Sequence, residues 1–174
     1  MNARMRSPAL VLPDAIQRIR ALDGPIGHGR LPAAIVKLVE VRASQINGCS
    51  LCVDMHSHEL REMGEPEERL FTIAAWRDAP YFTDAERAAL ALTEAVTRLS
   101  DRDDPVPDAV WDEAARHFDE AALAALLLAI AKINVWNRLN VATRQPADGW
   151  RKLVRPRAAT AAEMSAIHAP RPAR

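Results

Sequence analysis

The chain is short of several things, and each shortage excludes something. Of its 174 residues two are cysteine and six are glycine, aromatic side chains make up 5%, and 23 basic residues are matched by 23 acidic ones. Two cysteines are too few for the disulfide framework of a secreted scaffold. Scarce glycine, abundant alanine and leucine, and no alternating apolar pattern argue against strands and for helices. A formal net charge of zero removes the basic excess that steers a protein to nucleic acid. It also weakens self-repulsion, which is compatible with a homo-oligomer. The longest apolar run, "AALAALLLAIA" from Ala121 to Ala131, is well short of the ~20 residues that cross a bilayer. It reads as a helix buried on all sides. The opening "MNARMRSPALVLPDAIQ" breaks its short apolar run with prolines, so it does not read as a signal peptide. These exclusions predict a cytoplasmic, reducing setting, with neither nucleic acid nor membrane as partner.

What is present is enough for a core. Hydrophobic residues make up 49%, and a chain of this size folds most simply as one domain that buries roughly 70% of its unfolded surface. The expected fold is all-α, about six to seven helices in a single domain over residues 1–150, followed by a mobile tail over 151–174 with three of the twelve prolines. Helices are predicted over about Asp14–Leu22, from Pro32 to Asn47 and from Cys49 to about Met63. A shorter one follows in "EPEERLFTIAAW", then one in "TDAERAALALTEAVTRL", one in "DAVWDEAARHF", and a long one capped by Asp119 and running to about Val141. Pro32 suits a helix start, and Asn47-Gly48 suits a helix end. Thr83 with Glu86 forms a capping box.

Both cysteines and two of the five histidines fall in "INGCSLCVDMHSH", Ile46 to His58. If Cys49 opens a helix, Cys52 at i+3 and His56 four further on share its face, with neighbouring Cβ atoms about 5–6 Å apart. A thiol at a helix N-terminus meets unpaired N–H donors and the positive dipole end, which favours thiolate. An imidazole one turn away can exchange its proton. Such a pair can form a sulfenic acid on one sulfur, condense to a disulfide and be reset by thiol exchange. Two rival readings stand beside this one. Cysteines can be small core hydrophobes. Cys49, Cys52, His56 and His58 could also form a zinc clip, although His58 lies on another face and zinc wants four tetrahedral ligands. A thioredoxin-type site lacks its βαβ context.

The stretch "VRASQINGCSLCVDMHSHELREMGE", continued by "RLFTIAAWRDAPYFTDAERAALALTEAVT" and later by "AIAKINVWNRLNVATRQP", resembles the alkylhydroperoxidase D branch of the carboxymuconolactone decarboxylase superfamily. The likeness covers about residues 30–146. It implies an all-α, AhpD-like protomer that assembles as a trimer or hexamer, and peroxidase chemistry without haem, metal or other cofactor. It implies Cys52 as the peroxidatic thiol, Cys49 as its resolving partner and His56 as a proton relay. The implied partners are a hydrogen or organic peroxide and a dithiol reductant, protein or lipoyl-type.

One departure stands out. Members of this branch usually carry a glutamate twelve residues before the first cysteine, where this chain has Lys37. Glu40 stands nine before, where relatives often have lysine. The two look exchanged by one turn, which makes Glu40 a candidate for the relay and leaves Lys37 to stabilise thiolate by charge; otherwise both are paired, solvated charges. Trp136, Asn137 and Arg138 read as a structural hydrogen-bond network, or else as a pocket lining or interface. Trp76 and Trp111 read as core or interface packing. His117 is expected on a polar face, and His58 and Glu59 as solvated, off the thiol stripe. A redox-responsive binding or scaffold protein with little peroxidase activity remains the alternative from another functional class.

Overall fold

The computed structural model describes residues 2–28 and 30–151. Among the described residues there are helices and no strand. Three short helices open the chain: α1 (Pro8–Val11), α2 (Ala15–Arg20) and α3 (Asp23–Gly27). The helix expected over about 14–22 is present as α2, and α3 lies beyond it. Pro25 keeps α2 and α3 from merging, because a continuous helix would need its N–H to bond the Ala21 carbonyl, and proline has none. The tail expected over 151–174 lies, apart from Arg151, outside the described residues.

The main helices start and stop where their caps dictate. The central helix α4 (Ala33–Asn47) follows Pro32 and ends at Gly48, whose φ of 69° is the left-handed conformation that glycine adopts at least cost. One residue later α5 (Ser50–Glu62) begins, with Cys49 as its N-cap. Next come α6 (Glu67–Thr72) and a 3₁₀ turn over Ile73–Ala75. In α7 (Asp84–Thr97) the capping box is formed in both directions, Thr83 with Glu86. Beyond α8 (Asp108–His117), Asp119 caps α9 (Glu120–Ala142) by accepting the Ala122 N–H at 2.8 Å. A last 3₁₀ turn, Ala147–Trp150, closes back over α5.

Helices α5, α7 and α9 all pack on α4, so α4 is apolar on three sides. Ile35 and Val39 meet Leu92 of α7 and Leu126 and Ile130 of α9. Leu38 and Val41 meet Leu60 of α5, Ile73, Trp76 and Leu90. Ala43 joins Cys49, Leu51, Cys52 and Ile133 of α9. The α4–α7 contact also carries charge. Buried Glu94 accepts from Arg42 Nε at 2.8 Å, Trp76 Nε1 at 2.9 Å and Arg77 at 2.7 Å, so its carboxylate is fully engaged. Trp76 is thus a core residue, whereas Trp111 stands exposed on α8 rather than in the core.

The apolar run sits inside the long helix expected from Asp119 to about Val141, observed as α9. With 23 residues and a hydropathy of 1.4, α9 is long and apolar enough, by length and composition, to cross a membrane. Yet 56% of that window is buried inside the protein, and four of the polar residues of α9 face inward. Lys132, Asn134, Asn137 and Asn140 are all buried and bonded to α3, α4, α5 or α7. A helix with that inner face is a core element of the bundle.

Leu126 is fully buried at the meeting of α4, α7 and α9. Leu126→Ala should lower the unfolding free energy by about 2–5 kcal/mol, the range for leaving a cavity in a packed core. Urea denaturation of the variant checks this, and a loss below about 1 kcal/mol would mean that the three-helix junction is loosely packed.

Candidate active site

Cys49 and Cys52 form a disulfide, with a Cα–Cα distance of 5.4 Å. The bond sits at the N-terminus of α5 because the Asn47-Gly48 turn brings α4 to a stop just before it. That turn is held from α9. Asn47 Nδ2 donates to Asn134 Oδ1 and Asn137 Oδ1, each at 2.9 Å, and Asn137 Nδ2 donates to Ser44 Oγ at 2.9 Å. So Asn137 belongs to a structural hydrogen-bond network. Arg138 bonds back to the Asn134 carbonyl at 3.2 Å within its own helix.

Each sulfur has its own donor. The Cys52 backbone N–H donates to Cys49 Sγ at 3.3 Å, and Asn140 Nδ2 donates to Cys52 Sγ at 3.4 Å. Donors of this kind stabilise a thiolate when the bond is reduced. Both cysteines are buried, and partly buried Trp136 and Trp150 pack against them. The Trp150 indole donates to Asp54 Oδ2 at 2.6 Å, and Arg151 reaches Asp54 at 3.3 Å. The 147–150 turn therefore lies as a strap across the α5 N-terminal half.

His56 is buried one turn beyond Cys52 on α5. Its Nδ1 lies 2.7 Å from Glu59 Oε2 and 3.3 Å from Glu40 Oε2. Two carboxylates at Nδ1 require the proton there, so in neutral imidazole Nε2 is the nitrogen with a free lone pair. Lys37 Nζ lies 2.8 Å from the same two oxygens, and Lys132 Nζ is 3.0 Å from Glu40 Oε1 while also gripping Asp23. Burial alone pushes the Glu40 carboxyl up, but His56, Lys37 and Lys132 together hold it below its ordinary value. Burial likewise opposes Glu59, yet its bonds to His56 and Lys37 bring it down to about 2. Burial pulls both lysines down, and Glu40, with Glu59 for Lys37 and Asp23 for Lys132, carries them above their ordinary range.

The structure brings Cys49, Cys52, His56 and Glu40 into one region. Of the two readings of Glu40, relay member or solvated charge, it excludes the second, because Glu40 is 1% exposed. Glu59 is not solvated off the site but makes the shorter of the two contacts to His56. Nor does His58 stand free, because it accepts from Arg151 at 2.8 Å and lies against the Trp150 ring. The Lys37 ammonium goes to the carboxylates. His117 pairs with Glu113 on α8. Among the described residues, the group spaced for a metal is Glu40, His56 and Glu59, with ligand atoms within 4.8 Å of one another. There the lysine ammonium already supplies the positive charge, and the two cysteines, spent in their disulfide, take no part. Lys132, Asn140 and Asp23 were not legible beforehand. The available signal was polar residues recurring at helical spacing inside an otherwise apolar helix.

An all-α bundle with a Cys-x-x-Cys disulfide at a helix start, backed by a histidine, defines a protein of the AhpD-like type. The chain belongs to the carboxymuconolactone decarboxylase family, whose profile matches residues 13–95. The uncharacterized protein YdfG of Bacillus subtilis is 39% identical over 106 residues, 61% of this chain and 71% of that one. The crystal structure of ATU0492 from Agrobacterium tumefaciens, a protein of unknown function provisionally assigned as an antioxidant defence protein AhpD, superposes with a TM-score of 0.77. It is 33% identical, and the match covers 83% of this chain and 97% of that one. The debrominase Bmp8, in complex with 2,3,4-tribromopyrrole, shares the fold with a TM-score of 0.68 at 23% identity, over 78% of this chain and 71% of that one.

Two outcomes follow from this geometry. The depressed Glu59 carboxyl stabilises the fold fully above its ordinary value of 4.5, and that contribution drains away as pH falls toward about 2. Glu59→Gln should therefore flatten the stability loss measured by urea denaturation between pH 5 and pH 3. An unchanged slope would remove Glu59 from the network. Trp150→Ala should uncover the disulfide and raise its reduction rate by dithiothreitol several-fold; equal rates would mean that the strap does not guard the sulfurs.

Proposed function

We propose that the protein is a dithiol peroxidase that reduces hydrogen peroxide or organic hydroperoxides. The observation that carries this reading is the Cys49–Cys52 disulfide at a helix N-terminus, one turn from a histidine backed by two carboxylates. Family membership adds to it.

The cycle starts from the reduced pair. Cys52 thiolate, with Asn140 as donor, attacks the outer oxygen of ROOH, and the O–O bond breaks. RO⁻ leaves and takes a proton from His56 imidazolium to become ROH, while Cys52 becomes a sulfenic acid. Cys49, whose sulfur accepts the Cys52 N–H, is then deprotonated by His56 and attacks the Cys52 sulfur. The hydroxide expelled takes up that proton and leaves as water, and the disulfide closes. Two thiol–disulfide exchanges with an external dithiol return both thiols and leave the donor oxidised. His56 holds and returns the proton through Nε2, because Nδ1 is committed to Glu59 and Glu40. We assign the catalytic roles to Cys52, Cys49 and His56, and a supporting role to Glu40.

The external reductant in this scheme is a protein dithiol or a lipoyl-type group, and a reducing compartment such as the cytoplasm would keep it supplied. Assembly into a trimer or hexamer belongs to the same reading.

Stopped-flow mixing of reduced protein with cumene hydroperoxide should show consumption well above that of a free thiol, abolished by Cys52→Ser. Cys49→Ser should leave one turnover and a trapped sulfenic acid, seen by mass spectrometry. A rate no greater than that of free thiol would remove the peroxidase reading and favour a disulfide that only reports redox state.

A further inference from the structure

The charges around His56 have a balance that the cysteine chemistry alone does not explain. Glu40 and Lys37 come from α4, Glu59 from α5, Lys132 from α9 and Asp23 from α3. Three carboxylates face two ammonium groups, leaving one negative charge in excess. A single proton on His56 cancels it. The cluster thus has room for one mobile charge, and His56 is the group that can carry it.

Lys132 has no part in the reaction proposed above, yet it is costly to keep. It sits inside an otherwise apolar helix, and a buried ammonium is tolerated only when paired. Its partners differ in kind. Glu40 Oε1, at 3.0 Å, belongs to a carboxylate that is 1% exposed, and Asp23 is on the half-exposed rim. The second oxygen of Glu40 is the one turned to His56 and Lys37. Lys132 therefore fixes one oxygen of Glu40 and leaves the other aimed at the imidazole.

We propose that Lys132 is a positioning residue of the proton relay: by gripping Glu40 and Asp23 it orients Glu40 toward His56 and sets the charge against which His56 takes up its proton. This rests on the reading of His56 as relay. It extends the functional unit to α3, which contributes no reacting atom.

The test uses the full-length reduced protein and two readouts. The first is the His56 imidazole titration by NMR, which needs no peroxide. The second is the pH profile of disulfide formation with cumene hydroperoxide. Removing a cation makes every proton in the cluster bind more tightly. Lys132→Met should thus move the His56 midpoint up by on the order of one pH unit, and the rising limb of the rate profile should move with it. Asp23→Asn, at a half-exposed rim, removes an anion instead and should move both downward by a smaller amount. Lys132→Arg should restore the original midpoint. Generic damage to packing would not give shifts of opposite sign for the two variants. Midpoints within about 0.2 pH unit of the parent in both Lys132→Met and Asp23→Asn, or shifts of the same sign, would overturn the proposal. If the NMR shifts appear while no variant and no parent consumes peroxide, the peroxidase reading fails and the role of Lys132 in setting the His56 charge stands.

Discussion

The arrangement depends on a carboxylate buried in the middle of the central helix. Glu40 is 1% exposed, on the helix against which α5, α7 and α9 all pack. Stripping water from a carboxylate costs several kcal/mol unless other charges replace the hydration. Each replacement comes from a different direction: Lys37 from the preceding turn, His56 from α5 and Lys132 from α9. The helices must converge to satisfy this one group, and the convergence places an imidazole one turn from the sulfurs. The same burial that makes Glu40 expensive strengthens its hold on His56, because the contact lies in a low local dielectric.

That constraint also bears on the exchange of Lys37 and Glu40 that the resemblance implies. Residues three apart on a helix share a face. Exchanging them keeps one acid and one base beside the α5 histidine. What the exchange alters is which of them is buried. The acid goes inward, at Oε2 to His56 and at Oε1 to Lys132, and the lysine sits at the edge, bridging Glu40 and Glu59. An inward ammonium at position 40 would face Lys132 at close range. An inward carboxylate meets attraction from both lysines. The presence of Lys132 on α9 thus favours the acid at 40 on electrostatic grounds alone.

The legible part of this structure was local. Pro32, Asn47-Gly48, Thr83 with Glu86, and Asp119 mark helix ends because caps act within a few residues. Cys49, Cys52 and His56 share a stripe because helical spacing is fixed. The failures were all long-range. Glu59 looked solvated because its angle was judged against the cysteines; its partners are His56, one turn back, and Lys37 on a neighbouring helix. Lys132 and Asn140 were not singled out in the long helix, of which only the run 121–131 was read as buried on all sides, yet each answers a polar atom on a different element. The early helix over 14–22 is present as α2; what was not foreseen is α3 beyond it, which carries Asp23 to Lys132.

The sulfurs themselves are the least constrained part by charge. Among the described residues no ion pair touches them; their donors are a backbone N–H and an amide, and their neighbours are Ala43, Leu51, Ile133 and two tryptophans. An apolar wall raises the cost of a thiolate, while the helix start and the amide lower it. The two influences oppose each other within a few ångströms. Among the described residues, the groups that would hold a thiolate formed there are dipoles, not a cation. The cations are spent one turn away on the carboxylates that hold His56. In the proposed cycle this separation leaves the imidazole to move protons between the ionic cluster and the dithiol.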